Sequence, residues 1–68
     1  MSMPRGTHHD ETGLLLREGQ WLVLQRDDGG RWRLDAGAKA VALLGRRVRV
    51  QGIRSGFDLL DVRRIDPC

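Results

Sequence analysis

Four groups of residues in this chain are of types that can do chemistry. The first is His8-His9-Asp10-Glu11, which contains three residue types that ligate metals. Adjacent side chains of a strand point to opposite faces, so His8 and His9 could share one ion only in an irregular segment. No metal site is therefore expected, and one histidine should hydrogen-bond to the domain while the other is solvated. The second group, Asp27-Asp28-Gly29-Gly30, has two adjacent carboxylates but lacks the spaced ligands and closing Glu of a calcium loop. It reads as a turn with an Asx side-chain bond. The third is the carboxylate pair Asp58 and Asp61, with Ser55 nearby. Acid and base work needs carboxyls converging on a pocket, and a serine nucleophile needs a base. The sequence supplies neither, so no catalytic residue and no cofactor is assigned, and the chain is expected not to be an enzyme.

The fourth group is a binding face: Trp21, Gln25, Arg31, Arg33 and Arg54. In domains that hold single strands of nucleic acid, aromatic rings stack on bases, at about 1 to 3 kcal/mol each, while basic side chains follow the phosphates. The alternative is that Trp21 merely covers the flank of the domain, with Arg17 stacked over it.

These residues are positioned by short apolar, β-rich runs with glycine punctuation: Leu14 to Leu16, Trp21 to Leu24, Trp32 to Leu34, Val48 to Ile53 and Phe57 to Ile65. Residues directly opposite in an antiparallel pair share a face, so parity tests each loop length. A loop of Glu18-Gly19-Gln20 sets Leu16 against Leu22 and Leu14 against Leu24. A loop of Asp28-Gly29-Gly30 sets Leu24 against Leu34 and Arg26 against Trp32. In the last hairpin, Arg54-Ser55-Gly56 sets Val50 against Leu60, Ile53 against Phe57 and, outside, Arg49 against Asp61. Both of the latter loops require positive φ at their third residue, Gly30 and Gly56. Leu22, Leu24, Trp32 and Leu34 then point inward, so Trp32 should be buried and Trp21 distinctly less so.

One segment lacks strand character, Asp35 to Gly45. Asp35 is the expected N-cap, the alanines favour helix, and Gly45 stops it after about two turns. Ala36, Ala40, Leu43 and Leu44 share a face that can plug an open end of a barrel.

Strand, strand, strand, helix, strand, strand is the element order of a small five-stranded OB-like Greek-key barrel. A small SH3-like barrel is the competitor. The domain is expected over residues 11–67, with residues 1–10 as a partly ordered tail. Gly6-Thr7-His8 ahead of Thr12-Gly13, Asp27-Asp28-Gly29-Gly30, Trp32-Arg33-Leu34-Asp35, the run Leu44 to Val50 and the run Gly52 to Val62 together resemble a family of short bacterial OB-fold-like proteins catalogued only as a domain of unknown function. The resemblance implies an architecture and transfers no activity.

Composition narrows the function classes. The chain has 68 residues, 12 basic and 9 acidic, for a net charge of +3. Eleven of the basic residues are Arg, which suits ion-pair ladders and nucleic-acid contact alike. At this length folding buries only about 60% of the unfolded surface, so nearly every apolar residue is needed for one core. Cys68, the only cysteine, cannot form an internal disulfide. No apolar run is long enough for a membrane span or a signal peptide, so a cytoplasmic location without membrane contact is expected. The expected function is a non-enzymatic interaction module for a protein or small ligand, monomeric or weakly self-associating through a strand edge. The alternative is weak binding of single-stranded nucleic acid.

Overall fold

The computed structural model describes residues 6–68. It is mainly β, with five strands in one sheet and one short helix: β1 (His8–Glu18), β2 (Trp21–Arg26), β3 (Arg31–Asp35), α1 (Ala38–Val41), β4 (Arg47–Arg54) and β5 (Leu59–Pro67). The helix lies between the third and fourth strands, as the sequence predicts. Of the expected tail, residues 1–5 lie outside the described residues, and His8 to Asp10 are the first residues of β1. They pair with Ile53 to Gln51 of β4.

The strands pair in the order β1-β2-β3-β5-β4, and β4 returns to β1 so that the sheet is closed. All pairings are antiparallel except β3 with β5. The long strand β1 serves two neighbours. Residues 8–14 pair with β4, residues 13–18 pair with β2, and both ladders meet at Gly13 and Leu14. A Cβ on Gly13 would lie 2.1 Å from the carbonyl oxygen of Gln25. The sheet can fold over at this point only because Gly13 has no side chain.

Inside the closed sheet, Leu15, Leu22, Leu24, Trp32, Leu34, Val48, Val50, Leu60 and Ile65 form one core with Ala40 of α1. The inward set of β2 and β3 is the expected one. Trp32 is 8% exposed and Trp21 41%.

Each hairpin closes differently from its expected form. The first has a two-residue loop, Gly19-Gln20, with Glu18 opposite Trp21 and Leu15 opposite Leu24. Gly19 has φ +61 and Gln20 a negative φ, as a type II′ turn requires. The one-residue slip reverses β1: Leu15 is wholly buried, and Leu14 is 38% exposed. Arg17 accordingly pairs with Leu22 rather than with Trp21.

The second loop is Asp27-Asp28-Gly29, one place earlier than expected, which moves the pairing by two residues, so Leu24 faces Trp32 and Leu22 faces Leu34. Its left-handed residue is Gly29 (φ +104) and not Gly30. The third is Gly56-Phe57-Asp58, closed by the Ser55 N–H donating to Leu59 O, so Arg54 faces Leu60 and Ile53 faces Asp61. Gly56 is not left-handed either. A shift between Gln51 and Gly52 then sets Val50 opposite Ile65 and Arg49 opposite Asp66.

The helical segment is shorter than expected. Asp35 belongs to β3, Gly37 is the cap, and α1 lasts four residues before i→i+3 turns carry the chain to Gly45 (φ +82). Its inward face is the expected one, with Ala40 buried and Ala36, Leu43 and Leu44 packed against the core.

Candidate functional site

The outer face of β2 and β3 carries alternate residues because the inner face is committed to the core. Trp21, Val23 and Gln25 of β2 lie there beside Arg31 and Arg33 of β3, with Val23 opposite Arg33 and Gln25 opposite Arg31. Val23 is only 3% exposed although it lies outside the core cluster. Its ladder neighbours on this outer face are Leu16 and Arg33.

The cation over Trp21 is Arg33, not Arg17: its guanidinium carbon lies 4.8 Å from the ring centroid. Arg33 Nε also donates to Asp58 Oδ1 at 2.8 Å. That bond ties β3 to the loop between β4 and β5, together with the Arg33 N–H donating to Asp58 O. Arg31 contacts Glu18. Glu18, Val23, Arg31, Arg33 and Asp58 surround a depression of about 180 Å3. Its two arginines are matched by two carboxylates. Gln25 opens instead on a second depression, with Leu14, Asp27 and Arg47.

Arg54 does not join the outward arginines. It pairs with buried Leu60, so its backbone position faces inward at the end of the sheet. Its side chain turns back to donate from Nε to Gly56 O and from Nη2 to Phe57 O, both at 2.8 Å. It therefore braces the loop that holds Phe57, with its guanidinium carbon 5.9 Å from the Phe57 ring. Phe57, which parity had placed against Ile53, is 87% exposed. Its signal in the sequence was its setting, since Ser55-Gly56-Phe57-Asp58 has the composition of a turn throughout.

The other candidate groups separate. Asp58 bonds to Arg33 and Asp61 to Arg63, so the two carboxylates do not converge. Asp28 caps its own turn, accepting from Arg26 and from the Gly30 N–H. His9 lies half-buried: Nε2 is 3.0 Å from Thr7 Oγ1, and the ring leans on Trp32 with centroids 4.8 Å apart. His8 is exposed, so one histidine is bonded and the other solvated, as expected. Cys68 is an exposed thiol, but its backbone is held, its N–H donating to Arg47 O.

Arg49 finds Asp10 across β1 and β4 rather than Asp61. Hydrogen bonds from Arg49 hold the Asp10 carboxyl down at about 2, against some desolvation and with help from Gln51. A folded value below the ordinary 3.8 means the stabilisation is present above pH 3.8 and is lost as pH falls through about 2. The stability gap between wild type and Asp10→Asn, read from urea midpoints, should therefore be open at pH 7 and closed below pH 2. A gap independent of pH would exclude the pair as its source.

Among the described residues no helix is long and apolar enough to cross a membrane. No curated protein and no solved structure matches the chain. Residues 12–68, from the middle of β1 to the last residue, match the family described as "Protein of unknown function (DUF5818)", and the chain belongs to that family.

Proposed function

We propose that this chain is a non-enzymatic binding module built as an OB-type barrel, and that a protein or small ligand docks on the face formed by Trp21, Arg33 and Phe57. The cyclic strand order, the parallel β3–β5 pair and the helix between β3 and β4 support the architecture. The observation that carries the function is Phe57. A phenylalanine left 87% exposed forgoes about 1.5 to 3 kcal/mol of burial, yet Arg54 spends two hydrogen bonds on holding its loop in shape. Burial against a partner recovers that energy, and Arg33, which lies over Trp21 and bonds to Asp58 next to Phe57, links the two aromatics into a set with the composition of an interface anchor.

Single-stranded nucleic acid is the second reading, favoured by two aromatics with arginines over them. It is disfavoured by the carboxylates of Glu18 and Asp58, which neutralise Arg31 and Arg33 where phosphates would lie. Chemical-shift mapping of the labelled protein against nucleotides, oligonucleotides, small saccharides and aromatic-rich peptides separates the two. The expected ligand perturbs Trp21, Arg33 and residues 54–58, and Phe57→Ala weakens it about tenfold or more without lowering the urea midpoint. Ligands that bind elsewhere and ignore Phe57→Ala and Trp21→Ala would refute the proposed face. Oligonucleotide binding that falls steeply with salt would favour the second reading over the first.

A further inference from the structure

β3 and β5 run side by side for only three residue pairs, from Arg33 against Leu59 to Asp35 against Asp61. β3 then leaves the sheet, because the chain turns at Ala36 and Gly37 into α1. β5 continues to Pro67 with β4 as its sole strand partner among the described residues. Over residues 62–66 the β3-facing edge of β5 therefore presents backbone N–H and C=O groups to which the sheet offers no partner. No turn or loop backbone among the described residues bonds to this stretch. Beside it lies a cavity of about 420 Å3, walled by Ala36, Lys39 and Ala40 on one side and residues 62–66 on the other. It continues the line that β3 vacates.

The geometry points to an extended acidic peptide from a partner protein as the occupant of this slot, added to β5 as a strand. Main-chain bonds to a free edge supply affinity without regard to side chains, and the walls select what may enter. Here the walls carry Lys39, Arg63 and Arg64 against one carboxylate, Asp66. Asp66 is engaged by Arg64 at 2.7 Å, and Arg63 reaches Asp61 at 3.2 Å. Lys39 has no carboxylate partner among the described residues. Ala36 and Val62, both half-buried against the core, leave apolar ground for alternate side chains of the guest. A second copy of this chain fits poorly, since edge-to-edge pairing would bring Arg63 and Arg64 of both copies together, and such charges protect edges against self-association.

The test uses the full chain, isotope-labelled, titrated with the peptide acetyl-Glu-Val-Glu-Val-Glu-Val-amide, its lysine counterpart, and the acidic peptide N-methylated at every residue, which blocks both of its edges. The acidic peptide should shift the amides of residues 62–66 and slow their hydrogen exchange. The N-methylated peptide should not bind, and the lysine peptide should bind far more weakly. Lys39→Glu combined with Arg63→Glu, both exposed changes that leave the core alone, should weaken the acidic peptide about tenfold. Unchanged amides at 62–66, equal binding of the N-methylated peptide, or a dimer paired through this edge would each overturn the assignment. Phe57→Ala should leave this binding unaltered, which keeps the slot separable from the face around Trp21.

Discussion

Gly13→Ala is expected to destabilise the domain by about 3 kcal/mol or more and to leave a large fraction of it unfolded at room temperature. The added methyl would lie 2.1 Å from Gln25 O, 2.7 Å from Gln25 C and 2.8 Å from Arg26 Cα. All three are backbone atoms, so no side chain can swing aside. Relief would need β1 and β2 to part where β1 also pairs with β4, disturbing two ladders at once. For a chain of this length total stability is of order 3 to 10 kcal/mol, so the loss is comparable to the whole. Gly37→Ala is the control, because a Cβ there meets nothing within 4 Å. It should cost less than about 1 kcal/mol. Urea denaturation followed by circular dichroism reads both, and a Gly13→Ala midpoint close to wild type would show that the two strands separate at little cost.

The second large effect is a contrast between neighbours. Leu15→Ala should cost about 2 to 5 kcal/mol, because Leu15 is wholly buried and sits opposite Leu24 in the centre of the core. Leu14→Ala, at a position 38% exposed, should cost less than about 1 kcal/mol. The ratio reports the register of β1 directly. Were the first hairpin closed by three residues instead of two, the costs would be exchanged. Equal losses at both positions would exclude a single fixed register.

That contrast shows where strand parity could be read and where it could not. In β3, Arg31-Trp32-Arg33-Leu34 alternates polar with apolar, and its pairing with β2 sets Leu22 and Leu24 inward beside Trp32 and Leu34, as expected. In β1 the run Leu14-Leu15-Leu16 is apolar on both faces, so it contains no alternation to align. The loops around Gly29 and Phe57 failed for another reason. An even slip, two residues in the second hairpin and four at the start of the last, leaves every side chain on its face, so a period of two cannot detect it. Partners therefore moved while faces did not as far as the shift at Gln51 and Gly52, beyond which β5 turns Ile65 inward against Val50, and Arg49 reached Asp10 instead of Asp61.

The proposed binding face was partly legible for the same reasons. Trp21, Gln25, Arg31 and Arg33 were placed correctly because the alternation of β3, carried across the ladder to β2, assigns them outward. Arg54 and Phe57 were not, because both depend on which three residues form the last loop. With that loop at Gly56 to Asp58, Arg54 becomes its brace and Phe57 its exposed tip.

By itself the sequence determined the number and order of the elements, the single core, the inward set of the central strands and the outward position of Trp21. These follow from hydrophobic periodicity and turn chemistry, which act over a few residues. Only the tertiary structure decided which carboxylate meets which arginine, how far β3 accompanies β5, and that Phe57 stands in solvent. Those outcomes depend on register and closure, in which contacts between distant segments choose among alternatives that local pattern leaves equal in energy.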